Sequence, residues 1–175
     1  VRVQYTGENT FIGNGTDVCL PRAVDNPVRW VYTPNPDCYL LKSDSLIVRV
    51  DLSTASITYL DKEGGLLLQE DQNIPRISEK RVTKQVIYDE HSKHIEKTAD
   101  GDKEIKNVLR YDTIGHTWKY RINFKWQPLE ALYGWGSHME DYMNLRGKEL
   151  YLCQHNLKAM VPVLNSTAGY GLLFD

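Results

Sequence analysis

No apolar run in this sequence approaches the length of a bilayer span, and its opening, VRVQYTGENT, lacks the basic-then-apolar layout of a signal peptide. The chain therefore reads as soluble with no membrane partner. Its compartment stays open between cytoplasm and a secreted or periplasmic location with the signal removed, since a chain without an initiator methionine fits a mature or trimmed protein. Charge of one sign is also missing: 21 basic and 23 acidic residues leave a formal net charge of -2. Nucleic acid is a poor partner for such a surface.

Cysteine is scarce, with Cys19, Cys38 and Cys153 alone. An odd number at wide spacings builds neither a disulfide framework nor a CxxC metal knuckle. One Cys19–Cys38 bridge stays open, with buried free thiols as the alternative. Cys153 and His155 stand at i and i+2, which on a strand would share a face without making a catalytic dyad. His91, His94 and Glu96 are close in sequence, but strand geometry separates the two histidines, and Lys93 and Lys97 oppose a cation there. No metal or other cofactor is expected. There is no GxSxG elbow and no phosphate-binding loop, and Gly134-Trp135-Gly136 lacks the third glycine and following helix that a dinucleotide needs.

Amphipathic helices are absent too, and the alternation that takes their place is that of strands. Pro21, Pro27, Pro34 and Pro36 exclude a long helix near the start and leave residues 1–44 as an extended, irregular lead-in. Leu46, Val48, Val50 and Leu52 share one face of a strand. A second strand over 55–60, a turn at Asp61-Lys62-Glu63-Gly64-Gly65 and a third strand over 66–70 complete a meander. A strand follows over 81–88, then a solvent-facing hairpin around Asp100-Gly101. Trp118, Tyr120, Ile122, Phe124 and Trp126 alternate with polar residues and predict one half-buried antiparallel strand. Further strands are expected over 149–154 and 157–164, and the chain stops on the apolar segment Gly171-Leu172-Leu173-Phe174. An uncovered apolar edge invites self-association, so downstream sequence is expected. At 175 residues one all-β domain, an antiparallel β-sandwich truncated at its carboxyl end, accounts for the pattern. Asn14-Gly15-Thr16 and Asn165-Ser166-Thr167 fit the glycosylation pattern but read as ordinary turns.

Glycoside hydrolysis needs two opposed carboxylates, and adjacent Glu140 and Asp141 diverge in most backbone geometries, so a polar loop is the better reading. The region from Tyr133 to Asn156 nevertheless gathers Trp135, His138, Tyr142, Asn144, Arg146, Gln154, His155 and Asn156. Flat aromatic faces beside planar hydrogen-bonding groups suit sugars, while a packed rim with Asn144 and Arg146 satisfying the loop backbone accounts for the same composition.

Four segments carry a resemblance. Glu130-Ala131-Leu132-Tyr133-Gly134-Trp135-Gly136, Met143-Asn144-Leu145-Arg146-Gly147-Lys148, Tyr151-Leu152-Cys153-Gln154-His155-Asn156 and Gly169-Tyr170-Gly171-Leu172-Leu173-Phe174-Asp175 follow one another in an order that resembles the amino-terminal domain of glycoside hydrolase family 31. Residues 45–70 are similar to that family's early strand pair, so the likeness spans 45–175. The resemblance implies a galactose-mutarotase-like sandwich packed on a (β/α)₈ barrel that supplies both catalytic aspartates of a retaining α-glucosidase or α-xylosidase. It implies no catalytic residue in this chain, which alone would be inactive. The sandwich would lend the substrate entrance a loop, corresponding to Gln154, His155 and Asn156, with Trp135, Asn144 and Arg146 around it. Asn156 stands where the α-glucosidase branch tends to have aspartate, which sets a simple maltose-type specificity in question. Trp135 replaces a commoner small apolar residue. The rivals are an independent carbohydrate-binding module and a purely structural sandwich.

Overall fold

The computed structural model describes residues 1–8, 10–11 and 28–174. Its strands are β1 Val31–Pro34, β2 Cys38–Lys42, β3 Leu46–Asp51, β4 Ile57–Asp61, β5 Leu66–Glu70, β6 Arg76–Tyr88, β7 His94–Thr98, β8 Gly101–Ile105, β9 Val108–Ile122, β10 Phe124–Lys125, β11 Leu132–Ser137, β12 Ala159–Ser166 and β13 Gly171–Leu173. A 3₁₀ turn, Glu90–Ser92, precedes β7. The chain is thus all-β with antiparallel sheets, as the alternation requires. Among the described residues no helix is long and apolar enough to cross a membrane.

Two compact units divide these elements: Val1–Phe11 with Ile77–Arg121, and Ile12–Arg76 with Ile122–Asp175. The second holds a six-stranded sheet in the order β1-β2-β3-β4-β5-β10 and a three-stranded sheet in the order β11-β12-β13. The meander of β3, β4 and β5 follows directly from side-chain period. Leu41 pairs with Val48, Val48 with Tyr59 and Tyr59 with Leu68, so one apolar row crosses four strands. Val48 and Leu68 are buried in that row. At the turn, Asp61 Oδ1 accepts from the amides of Glu63 at 2.9 Å and Gly65 at 2.7 Å. Gly64 adopts φ +92°, which explains the glycine there.

At the far end of the same sheet Glu70 is buried, yet its Oε2 accepts from the Ile57 amide at 3.0 Å and from Arg76 Nη2 at 2.6 Å. Both partners offset the desolvation of the carboxylate. Burial, with the Glu70 charge adding to it, pushes the Tyr59 phenol up to about 12. Pro34 lies in the edge strand β1, where a missing amide donor costs the ladder nothing.

In the first unit β6 pairs with β9, and β7 with β8. Gly101 opens β8 at φ +113°, as the Asp100-Gly101 hairpin requires. Trp118 Nε1 donates to Glu8 Oε1 at 2.9 Å, and the Tyr120 hydroxyl accepts from the Gly7 amide at 2.8 Å.

Several expectations need correction. The alternation from Trp118 to Trp126 is not one strand: it breaks at Asn123, with β9 pairing β6 and β10 pairing β5. Asn123 diverts the chain because its amide donates to Pro75 O at 2.9 Å, its carbonyl accepts from Asp71 N at 2.8 Å, and its Nδ2 donates to Ile74 O at 2.7 Å. The expected strand over 149–154 is irregular, because the Gln154 side chain, described below, takes backbone groups that a ladder would use. β6 begins at Arg76, five residues before the expected start at Arg81. Asn165 lies within β12, paired with Tyr133 and Gly171, and not in a turn. Cys38 is buried and free and Cys153 is half-buried and free, while Cys19 and the Asn14 sequon lie outside the described residues.

Candidate functional site

The segments singled out for sugar recognition all adjoin β11 and β12. Gly134, Trp135 and Gly136 have φ of +127°, +60° and +95°, three successive left-handed residues in the middle of a strand. The register slips there, from Gly134 opposite Leu164 to Gly136 opposite Met160. Neither glycine tolerates a side chain: a Cβ would stand 2.3 Å from Val163 O at Gly134 and 1.9 Å from Ala159 O at Gly136. Trp135 holds its conformation at a cost of about 1–3 kcal/mol, which surrounding contacts must outweigh. Its ring meets Phe174 edge-on at 6.2 Å and packs on the cluster of Leu132, Leu145 and Leu164. The indole is thus an inward-packed wall, and its Nε1 is buried without a partner among the described residues.

Beyond the bulge, His138, Glu140 and Tyr142 are half-buried while Met139, Asp141 and Met143 face outward. Glu140 and Asp141 therefore diverge, as adjacent side chains should. His138 Nε2 lies 2.8 Å from Trp135 O, which can only accept, so that nitrogen carries the proton and donates. Its Nδ1 stands 4.0 Å from Glu140 Oε2, beyond hydrogen-bond reach. Lys158 Nζ donates to Glu140 Oε1 at 2.7 Å. That bond holds the Glu140 carboxyl below its ordinary range and lifts the Lys158 ammonium above its own. Lys148 Nζ lies 4.8 Å over the Tyr142 ring.

Asn144 and Arg146 bind backbone. Asn144 Oδ1 accepts from the amides of Leu132 and Arg146, each at 3.1 Å. Arg146 Nη1 donates to Glu130 O at 2.8 Å and also to Gln127 O. Next to them the buried Glu130 carboxylate accepts from the Gln127 amide at 2.7 Å and from the hydroxyls of Ser166 and Tyr170. Burial raises its proton affinity. The hydrogen bonds, with the Arg146 charge, outweigh that and hold the carboxyl below its usual range.

Gln154, His155 and Asn156 lie together on an exposed turn before β12. Gln154 braces its base: Nε2 donates to Lys158 O at 3.1 Å and Oε1 accepts from Met160 N at 3.0 Å. Lys158 N donates to His155 O at 3.1 Å and closes the turn, with Leu157 at φ +66°. His155 Nδ1 approaches Asn156 O at 2.8 Å. The Asn156 carboxamide is exposed and takes no partner among the described residues. The structure thus separates the six candidates. Asn144, Arg146 and Gln154 brace backbone, Trp135 packs inward, and His155 and Asn156 face solvent.

Glu130, Glu140 and Lys158 were not legible as partners from sequence. Lys158 is 18 residues from Glu140, and only the pairing of Ser137 with Ala159 announces that the two segments meet. His91 lies in the 3₁₀ turn, His94 Nδ1 approaches Ser92 O at 3.1 Å, and no three potential ligands gather among the described residues.

No family model matches the chain. An uncharacterized family 31 glucosidase of Pseudescherichia vulneris is 36% identical over 61 residues, which make up 35% of this chain and 12% of that protein. The crystal structure of the GH31 α-xylosidase of Xanthomonas citri matches 89% of this chain and 14% of its own at a TM-score of 0.57 and 23% identity. A GH31 α-xylosidase from a soil metagenome, complexed with xylose, matches 91% of this chain and 22% of its own at a TM-score of 0.58 and 20% identity. The chain thus spans less than a quarter of the length of these relatives.

Proposed function

We propose, from the chain's likeness in sequence to part of a family 31 glucosidase and in fold to part of two GH31 α-xylosidases, that it is a non-catalytic amino-terminal sandwich whose parent enzyme hydrolyses α-glucosidic or α-xylosidic bonds. The parent's barrel supplies the two carboxylates that glycoside cleavage needs, by retaining chemistry, and the sandwich packs on that barrel. Gln154, His155 and Asn156 form its contribution to the substrate entrance. Gln154 holds the turn, and Asn156, with His155 beside it, offers hydrogen bonds to sugar hydroxyls.

One observation carries this reading. In a region where Asn144, Arg146 and Gln154 all brace backbone, the exposed Asn156 carboxamide has both its donor and its acceptor uncommitted among the described residues. Such a group is free to exchange its water for a polar partner outside the domain. Trp135 and the segment 133–148 shape the wall behind the turn.

Asn156→Ala in the full natural polypeptide tests the proposal on chromogenic α-glucosides and α-xylosides. A rise in KM or a fall in kcat of about tenfold is expected for one lost hydrogen bond to substrate. Unchanged kinetics would leave only a packing role. A purely structural sandwich is favoured to that extent by the internal commitments of Asn144 and Arg146.

A further inference from the structure

We propose that Lys158 and Glu140, with His138 behind them, are positioning residues that fix the Gln154–Asn156 turn against the segment following β11. The inference rests on the reading of that turn as a substrate contact.

Lys158 is where the supports of the turn converge. Its carbonyl accepts from Gln154 Nε2, its amide donates to His155 O, and its ammonium reaches Glu140 Oε1 at 2.7 Å. The first two bonds are local and close the turn upon itself. The ion pair adds a side-chain tie to the segment following β11, 18 residues earlier, beside the Ser137–Ala159 pairing of the two strands. Side-chain exposures of 23% for Lys158 and 29% for Glu140 leave the pair partly solvated, and solvent screens it less than a fully exposed pair. Tyr142 and Cys153 are the other titratable groups near enough to act on Lys158.

The second half of the clamp begins at the bulge. Trp135 is fixed by its left-handed backbone between two glycines that admit no side chain, so its carbonyl direction is set. His138 donates Nε2–H to that carbonyl, and its Nδ1, on the other edge of the ring, lies 4.0 Å from Glu140 Oε2. The other carboxylate oxygen, Oε1, is the one that Lys158 takes. Trp135, His138, Glu140 and Lys158 thus stand in succession between the bulge in β11 and the turn. An ion pair serving only stability would not need to converge on the residue that closes the turn.

The test is Lys158→Met and Glu140→Gln in the full natural polypeptide, with Asn156→Ala alongside. Hydrogen exchange at the Lys158 and Met160 amides, which donate to His155 O and Gln154 Oε1, is read together with kinetics on an aryl α-xyloside and an aryl α-glucoside. Lys158→Met should speed exchange in the turn about tenfold while leaving the amides of β3 to β5 unchanged, and should raise KM about three- to tenfold with kcat within about twofold. Glu140→Gln, which keeps an acceptor for Lys158, should give smaller shifts in the same direction and stands in if Lys158→Met disturbs the sheet. The exchanged pair E140K/K158E should recover at least half of the lost protection. Unaltered turn exchange in Lys158→Met and Glu140→Gln overturns the positioning role whatever the kinetics show. Faster turn exchange with unchanged KM, in the presence of an Asn156→Ala effect, overturns it as well. Faster exchange with a neutral Asn156→Ala supports the clamp and removes the substrate-contact reading instead.

Discussion

The Tyr170 hydroxyl donates to the carboxylate of Glu130, 40 residues earlier in the chain, and so joins the turn before β13 to the segment that leads into β11. Ser166 at the end of β12 and the Gln127 amide complete the set of donors around the same group. The bond costs Tyr170 its ordinary acidity: burial, and then the carboxylate it meets, push the phenol well above its usual range.

Removing the acceptor should be far more damaging than removing one donor. Glu130→Ala leaves two hydroxyls and a backbone amide without their partner in a buried site, for an expected loss of about 2–4 kcal/mol. Tyr170→Phe deletes one donor and keeps the ring, so about 1 kcal/mol is expected. Urea denaturation of the two variants beside the parent sequence checks the order, and equal losses would contradict the network.

Acid should act through the same residue. The carboxyl of Glu130 is depressed in the folded state, so its contribution is fully present above the ordinary glutamate value of 4.5 and is lost as pH falls through the lower, folded value. Glu130→Gln should therefore flatten the acid limb of the stability curve below about pH 4.5 and lower the plateau above it. The carboxyl of half-buried Asp51 is also depressed. Its bonds with the Ser53 hydroxyl and the Thr54 amide hold it at about 2, and an NMR carboxyl titration distinguishes the two groups.

Glycines of one backbone class should differ sharply in their tolerance of alanine. Gly136 and Gly147 both have positive φ, but a Cβ meets Ala159 O at 1.9 Å in the first and nothing within 4 Å in the second. Gly147→Ala should cost about 1 kcal/mol for conformation alone, and Gly136→Ala more than about 3 kcal/mol because a backbone carbonyl must move. Thermal melts of both variants read the difference.

The meander of β3, β4 and β5 was legible because a half-buried strand writes its period directly into the sequence, and Asp61 to Gly65 carried its own turn chemistry. The hairpin at Gly101 was legible for the same reason. The alternation from Trp118 to Trp126 misled because period-two patterning records which side of a strand is apolar and says nothing of which sheet the strand joins. Asn123, one polar residue in phase with the pattern, diverts the chain through bonds to Ile74, Pro75 and Asp71. Gln154 misled in a related way, since its side chain imitates the ladder partners that a strand over 149–154 would need.

Sequence alone determined the all-β class, the meander, the hairpin and the membership of Gln154, His155 and Asn156 in one segment, because each depends on residues within a few positions of one another. Only the tertiary structure decided which polar groups there are free. Asn144, Arg146 and Asn156 are chemically alike as candidates for sugar hydroxyls, and what separates them is whether a distant backbone group takes their hydrogen bonds first. Glu130 with Tyr170, and Glu140 with Lys158, are likewise products of strand register. A pairing across 18 or 40 residues has no local signature, since its energy appears only when the fold removes water from both partners.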